Sequence, residues 1–136
     1  MLLLAQLGAC ARSQDSPGLK LEDAWVRLPP PGAEMTAAYG RLSNTGSAVV
    51  EIVGFASNSF EAVSLHSTTS QNGISRMRSL PGWTLIPEGT LLLQPGGHHL
   101  MLKGPLLTLA EGEEIHLEII TRGGDVYRFT LPVMAR

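Results

Sequence analysis

A single cysteine, Cys10, is all the thiol in this 136-residue sequence, and that scarcity excludes a good deal. One thiol makes no intrachain disulfide, no Cys-x-x-Cys redox pair and no structural zinc cluster. A blue-copper electron-transfer centre also requires a Cys thiolate, and Cys10 stands outside the expected folded domain. Charge is scarce as well: 16% of the residues are Asp, Glu, Lys or Arg, and the net charge is -2. Lys and Arg are scattered with no basic stripe, so nucleic acid is not an expected partner. Helix-forming runs are few. There is no carboxylate pair, nucleophile elbow or Gly-rich phosphate loop, so an enzyme is not expected.

What is present is turn chemistry. Fifteen Gly and nine Pro punctuate short apolar runs, the pattern of an all-β domain. The length corresponds to one domain with a tail, large enough to bury a core without disulfide staples. Residues Met1 to Ala9 are apolar apart from Gln6, and Leu7-Gly8-Ala9-Cys10 has the form of a bacterial lipobox. Such a segment is the end of a secretory signal, with Cys10 as the lipidated first residue of the mature chain. No Lys or Arg precedes the apolar run, which departs from a signal n-region. The run is far shorter than the roughly 20 apolar residues that span a bilayer. Residues Ala11 to Gly18, rich in Ser, Asp, Pro and Gly, read as a flexible tether. The expected organisation is a signal remnant and tether over 1–18 and a folded domain over 19–136. The expected location is the periplasm or another extracytoplasmic space, with a lipid anchor at Cys10.

From Leu19 onward, alternating runs are broken by turn residues at intervals of roughly 8–12. The runs are Leu21 to Leu28, Thr36 to Leu42, Val49 to Phe55, Phe60 to Thr69, Ile74 to Leu80, Trp83 to Ile86, Thr90 to Gln94, His98 to Lys103, Glu113 to Thr121 and Val126 to Val133. With the shortest runs discounted, about eight or nine strands remain, which matches a Greek-key β-sandwich; a closed barrel is the alternative. Pro105 is well placed to start a helical turn over Leu106 to Leu109.

Strand alternation separates the histidines and methionines. In Pro95-Gly96-Gly97-His98-His99-Leu100-Met101-Leu102-Lys103, Leu100 and Leu102 point to the core, while His99, Met101 and Lys103 share the opposite, polar face. His98 lies with Leu100 and is read as structural. In Phe60 to Thr69, Val63 and Leu65 take the core face, so His66 lies with Ser64 and Thr68. Asn72-Gly73 is a strong hairpin signal; a two-residue loop there sets His66 opposite Ser79 and Met77 opposite Thr68. His66 and Met77 are then diagonal neighbours, roughly 7–8 Å apart. His116 reads as a solvated strand position and Trp25 and Trp83 as packing; Met35, in the Pro/Gly-rich loop before the second strand, reads as a residue outside the ligand set, with a surface thioether near the centre as the alternative.

The chemistry follows from softness. Thioethers are poor ligands for zinc, magnesium or calcium but suit Cu(I), which also accepts imidazole. His66, Met77, His99 and Met101 together form a neutral donor set that holds a monovalent ion and can release it. Without a thiolate such a centre is not built for rapid electron transfer. A metal carrier fits better than an enzyme.

The spacing of these four residues, a His, ten residues, a Met, twenty-one residues and His-x-Met, resembles the hallmark of the PCuAC-type periplasmic copper chaperones. The resemblance extends to Asp23-Ala24-Trp25-Val26-Arg27, Ala37-Ala38-Tyr39, Asn44-Thr45-Gly46 and Pro95-Gly96-Gly97, and so spans about residues 20 to 133. It implies a cupredoxin-like sandwich, Cu(I) bound by two His and two Met, and delivery of copper to the binuclear centre of cytochrome c oxidase, with oxidase subunit II or another copper chaperone as partner. Ser67 stands where many members carry a second Met. No Met/His-rich stretch follows Val133-Met134-Ala135-Arg136, so a Cu(II)-binding tail is not expected. A monomer is expected, since transfer needs an exposed face. Two rival readings are a copper-buffering or tolerance protein with the same centre, and a β-sandwich interaction module in which these His and Met residues bind no metal.

Overall fold

The computed structural model describes residues 15–16 and 18–136; the lipobox, Cys10 and most of the expected tether lie outside the described residues. The described residues form eleven strands: β1 (Asp15–Ser16), β2 (Leu19–Arg27), β3 (Met35–Asn44), β4 (Val50–Ala56), β5 (Phe60–Gln71), β6 (Ile74–Leu80), β7 (Trp83–Leu85), β8 (Thr90–Leu93), β9 (His98–Pro105), β10 (Glu114–Thr121) and β11 (Val126–Met134). No helix occurs among the described residues.

Hydrogen bonding runs from β5 through β9, β3, β2, β11 and β10 to β4, and a β4–β5 contact at Phe55 and Val63 closes the circuit. The result is a sandwich whose seam is joined into a barrel. Pairing is antiparallel except for β2 with β11 and β8 with β9. The remaining short strands attach to the circuit, and β6 pairs with β5 alone, as a projecting hairpin arm.

Alternation places the core. In β10, Ile115, Leu117 and Ile119 are buried while His116 is exposed. Phe129, Leu131 and Val133 from β11 join Leu19, Leu21 and Val26 from β2, Leu65 from β5, and Leu100 and Leu102 from β9 in one cluster. Each fully buried side chain of this kind contributes about 1.5–3 kcal/mol of transfer free energy, which explains how the domain holds together without a covalent staple.

A bulge shapes the wall beside β9. Glu22 pairs with Arg41 and Trp25 with Tyr39, so Asp23 and Ala24 together oppose Gly40. Asp23 takes a positive φ of 52°. A Cβ at Gly40 would lie 2.9 Å from the Ala24 Cβ, so glycine is required there. Gly40 also marks the place where β3 changes partner, from β9 over Met35–Ala38 to β8 over Gly40–Ser43. Bulges bend a strand and increase its twist, and this one lets β3 serve both neighbours.

Three readings are corrected. Leu106 to Leu109 makes a bend and extended chain rather than a helical turn. Pro105 is the last residue of β9, opposite Phe60, and the Leu106 amide donates to the Ser59 carbonyl, which holds the segment against β5. Met35 is the first residue of β3, not a loop position, because Lys103 pairs with it. Asp15 and Ser16, assigned to the tether, pair with Lys20 and Leu19.

Candidate metal centre

The β5–β6 hairpin turns through Asn72 and Gly73, both at positive φ, 52° and 76°, as a type I′ turn demands. The resulting register sets His66 opposite Ser79 and Thr68 opposite Met77, as the two-residue loop predicts. On its other edge β5 pairs with β9, and there His66 lies opposite His99, Ser64 opposite Met101 and Ala62 opposite Lys103. β9 in turn pairs with β3, with Ala37 opposite Met101 and Met35 opposite Lys103. Directly opposed residues share a face, so the outer surface here is a grid. One row carries Ser79, His66 and His99; the next carries Ser64, Met101 and Ala37; Met77 stands diagonally beyond His66.

The structure therefore brings together four side chains that are up to 35 positions apart in the chain. The two imidazoles stack, with ring centroids 5.8 Å apart and planes at 20°. Met101 occupies the row beside them on β9.

Burial grades across the group. His99 is 5% exposed and Met101 8%, His66 is half-buried, and Met77 is 54% exposed. The face of β9 opposite the core is thus polar in composition but not open to solvent, which the alternation alone does not reveal. β9 is hydrogen-bonded on both edges, so side chains from β5 and β3 flank it. Among the described residues β6 pairs with β5 alone, and its residues Ile74 to Ser79 are exposed, so Met77 is accessible.

The hydrogen bonds prepare nitrogen lone pairs. His99 Nδ1 lies 3.2 Å from the Gly97 carbonyl oxygen. A carbonyl only accepts, so Nδ1–H donates and Nε2 keeps the lone pair, the usual way a metal-binding imidazole is oriented. His66 Nε2 lies 2.8 Å from Ser64 Oγ, while His66 Nδ1 is buried with no hydrogen-bond partner. An unsatisfied buried polar atom costs about 1–3 kcal/mol, and a lone pair on Nδ1 is free to be donated to a metal ion. Protonation of His66 is disfavoured first by burial, then by the proximity of His99 and the Lys103 ammonium; its pKa is lowered from 6.5. Neutral imidazole is the metal-binding form.

Ser64 and Gly97 are the supporting residues that a search for ligands passes over. Ser64 lies two positions before His66 on β5, and Gly97 two positions before His99 in the turn that leads into β9, so i−2 spacing from a candidate ligand is the signal that finds them. His98 packs edge-on against Trp83 at 4.9 Å, in agreement with its structural reading, and His116 is exposed. Trp25 packs on Tyr39 at 4.9 Å.

Among the described residues no group of three or more His, Cys, Asp or Glu side chains is placed to hold a metal ion. Two surface grooves lie elsewhere. One, of about 600 Å³, runs between Pro29–Glu34 and Gly104–Leu109; the other, of about 480 Å³, lies between Glu51–Val53 and Pro81–Thr84. A bare ion needs neither.

The LpqE-like lipoprotein family profile matches residues 19–133. Lxx21020 of Leifsonia xyli subsp. xyli, described as a candidate lipoprotein, is 35% identical over 117 residues, covering 85% of this chain and 69% of that protein. The solution structure of Cu(I)-DR1885 from Deinococcus radiodurans superposes with a TM-score of 0.68 at 30% identity, covering 85% of this chain and 79% of that one. The copper-bound PCuAC domain from PmoF2 superposes with a TM-score of 0.71 at 19% identity, covering 88% and 94%; at that identity the likeness is one of fold.

Proposed function

This chain belongs to the LpqE-like family of PCuAC-type domains, and from that premise we propose that it is an extracytoplasmic Cu(I) carrier whose ligands are His66, Met77, His99 and Met101. The observation that carries the reading is the buried, unpartnered Nδ1 of His66 beside the stacked ring of His99, in the row next to Met101. Two imidazoles and two thioethers are all neutral, so binding Cu(I) releases no proton from them and leaves a complex of single positive charge. Cu(I) in DR1885 supports the same ion here.

Burial of His99 and Met101 shields the ion from water, while exposed Met77 supplies a ligand that an incoming partner can replace. The metal stays Cu(I) throughout, and ligand substitution moves it. Lys103, which already opposes positive charge on His66, also opposes a monovalent cation and favours release. The recipient is the binuclear copper centre of cytochrome c oxidase, reached through subunit II or through another copper chaperone. The lipoprotein character of the family and of Lxx21020 supports a lipid anchor at Cys10 on the extracytoplasmic side of the membrane. The working form is a monomer.

The test is a Cu(I) titration of the apo-protein under reducing conditions against a calibrated chromophoric competitor, repeated with His66→Ala and Met101→Leu. Tight one-to-one uptake that each substitution weakens is the expected result. No tight uptake, or equal binding by the variants, would overturn the assignment. For the recipient, a deletion strain is expected to lose oxidase-bound copper at ordinary copper levels. Normal oxidase loading with copper sensitivity alone would instead assign a buffering role.

A further inference from the structure

Met35 has no part in the four-residue centre, yet the register places it beside that centre. Met35 opposes Lys103 and Ala37 opposes Met101. Met35 therefore lies on the same outer face as Met101, one row further from His99. Its relation to Met101 is diagonal, the relation Met77 has to His66, at a Cα separation of roughly 7–8 Å. Met35 is 49% exposed and stands outside the hydrophobic cluster, so packing does not explain a large apolar side chain at this position.

Two exposed thioethers thus flank the buried part of the centre from opposite sides: Met77 on the free arm β6, and Met35 at the start of β3. We propose that Met35 is an auxiliary Cu(I) ligand which, with Met101, forms a weaker peripheral position through which the ion enters or leaves. This rests on the Cu(I) reading above. Thioethers carry no proton and the ion keeps its oxidation state, so passage from His66 and His99 to Met101 and Met35 exchanges one neutral ligand for another with no redox partner. Lys103 lies opposite Met35 in the same row, and its positive charge makes this position weaker than the main one. Two exits allow the donor and the recipient of copper to dock at opposite sides of the centre on this one face.

The experiment uses the full chain labelled at methionine methyl carbons and titrated with Ag(I), a redox-stable soft monovalent probe, with NMR detection. The five methionines are assigned by Met→Leu substitution. Met77 and Met101 methyl signals are expected to move with the first equivalent. The Met35 signal is expected to move between the first and second equivalents, while Met134, on β11 and separated from β3 by β2, stays still. Met35→Leu should leave the first binding event within about twofold and abolish the second by calorimetry. A Met35 signal as still as that of Met134 through two equivalents, or a second event that survives Met35→Leu, would overturn this proposal and leave the main centre standing. Failure of Met77 and Met101 to move at all would overturn both.

Discussion

At the scale of single residues, the two histidines differ from ordinary surface histidines through what surrounds each ring nitrogen. His66 is held neutral by burial and by neighbouring positive charge. The unfolded chain therefore takes up this proton first as the pH falls. The contribution to stability is complete above the unfolded value near 6.5 and is lost as the pH falls through it toward the lower folded value. NMR titration of the apo-protein is expected to place the His66 midpoint below the ordinary histidine value of 6.5, and urea unfolding should show lower stability at pH 5 than at pH 7.5. A His66 midpoint at or above 6.5 would mean that the ring is not desolvated. Ser64 touches His66 Nε2 and no metal, so Ser64→Ala tests the supporting shell. Loss of such a partner typically costs 10–100-fold in metal affinity, and about tenfold weaker Cu(I) binding with unchanged unfolding is expected. Met77→Leu, at an exposed position, should leave stability within about 0.5 kcal/mol while weakening uptake; a large loss of stability would show instead that Met77 packs.

At the scale of elements, turn geometry decides whether the ligands meet. The β5–β6 arm is held by one edge, and its turn needs positive φ at Asn72 and Gly73. Gly73→Ala adds strain of about 1 kcal/mol or more at such a position. Because β6 has no second neighbour, faster amide exchange along β6 and weaker Cu(I) binding are expected, with little change in Tm. Unchanged exchange in β6 would show that the arm is fixed by something other than its turn. Asn44 plays a different part. It is 1% exposed, its Nδ2 donates to the Ala48 and Leu85 carbonyls, and its Oδ1 accepts from the Gly46 amide. It thus ties the end of β3 to β7 and to the loop between β3 and β4. Asn44→Ala leaves buried carbonyls without donors and is expected to cost about 2–3 kcal/mol in denaturant unfolding, with copper stoichiometry unchanged.

At the scale of the whole molecule, the barrel is closed by its weakest joint. β4 meets β5 in register only at Phe55 and Val63, whereas β2 with β3 and β10 with β11 pair over most of their lengths. Amide exchange is expected to be slowest in β2, β3, β10 and β11 and faster at the β4–β5 joint. Phe129, fully buried at the centre of the cluster, offers a global test: Phe129→Ala should cost about 3–5 kcal/mol and lower the protection of all these strands together. Loss confined to β11 would mean that the two sides of the sandwich unfold separately.

Much of this was legible in the chain itself. Period-2 alternation and Gly/Pro punctuation marked out ten runs within a few residues of β2 to β11, because side-chain direction and turn chemistry are local; the expected count of eight or nine discounted the shortest runs, which are strands as well. Asn72-Gly73 determined the hairpin register for the same reason, and with it the opposition of Met77 and Thr68. The softness of His and Met pointed to the kind of ion before any geometry was known. Long-range pairing was beyond local rules. That β9 sits between β5 and β3, so that His99 faces His66, depends on which strand edges meet in three dimensions. The burial of His99 and Met101 follows from that placement, as does Met35 standing beside Met101. The ligand types are a property of the sequence; their meeting in one half-buried, half-open group is the work of the tertiary fold, because only there do both edges of β9 acquire neighbours.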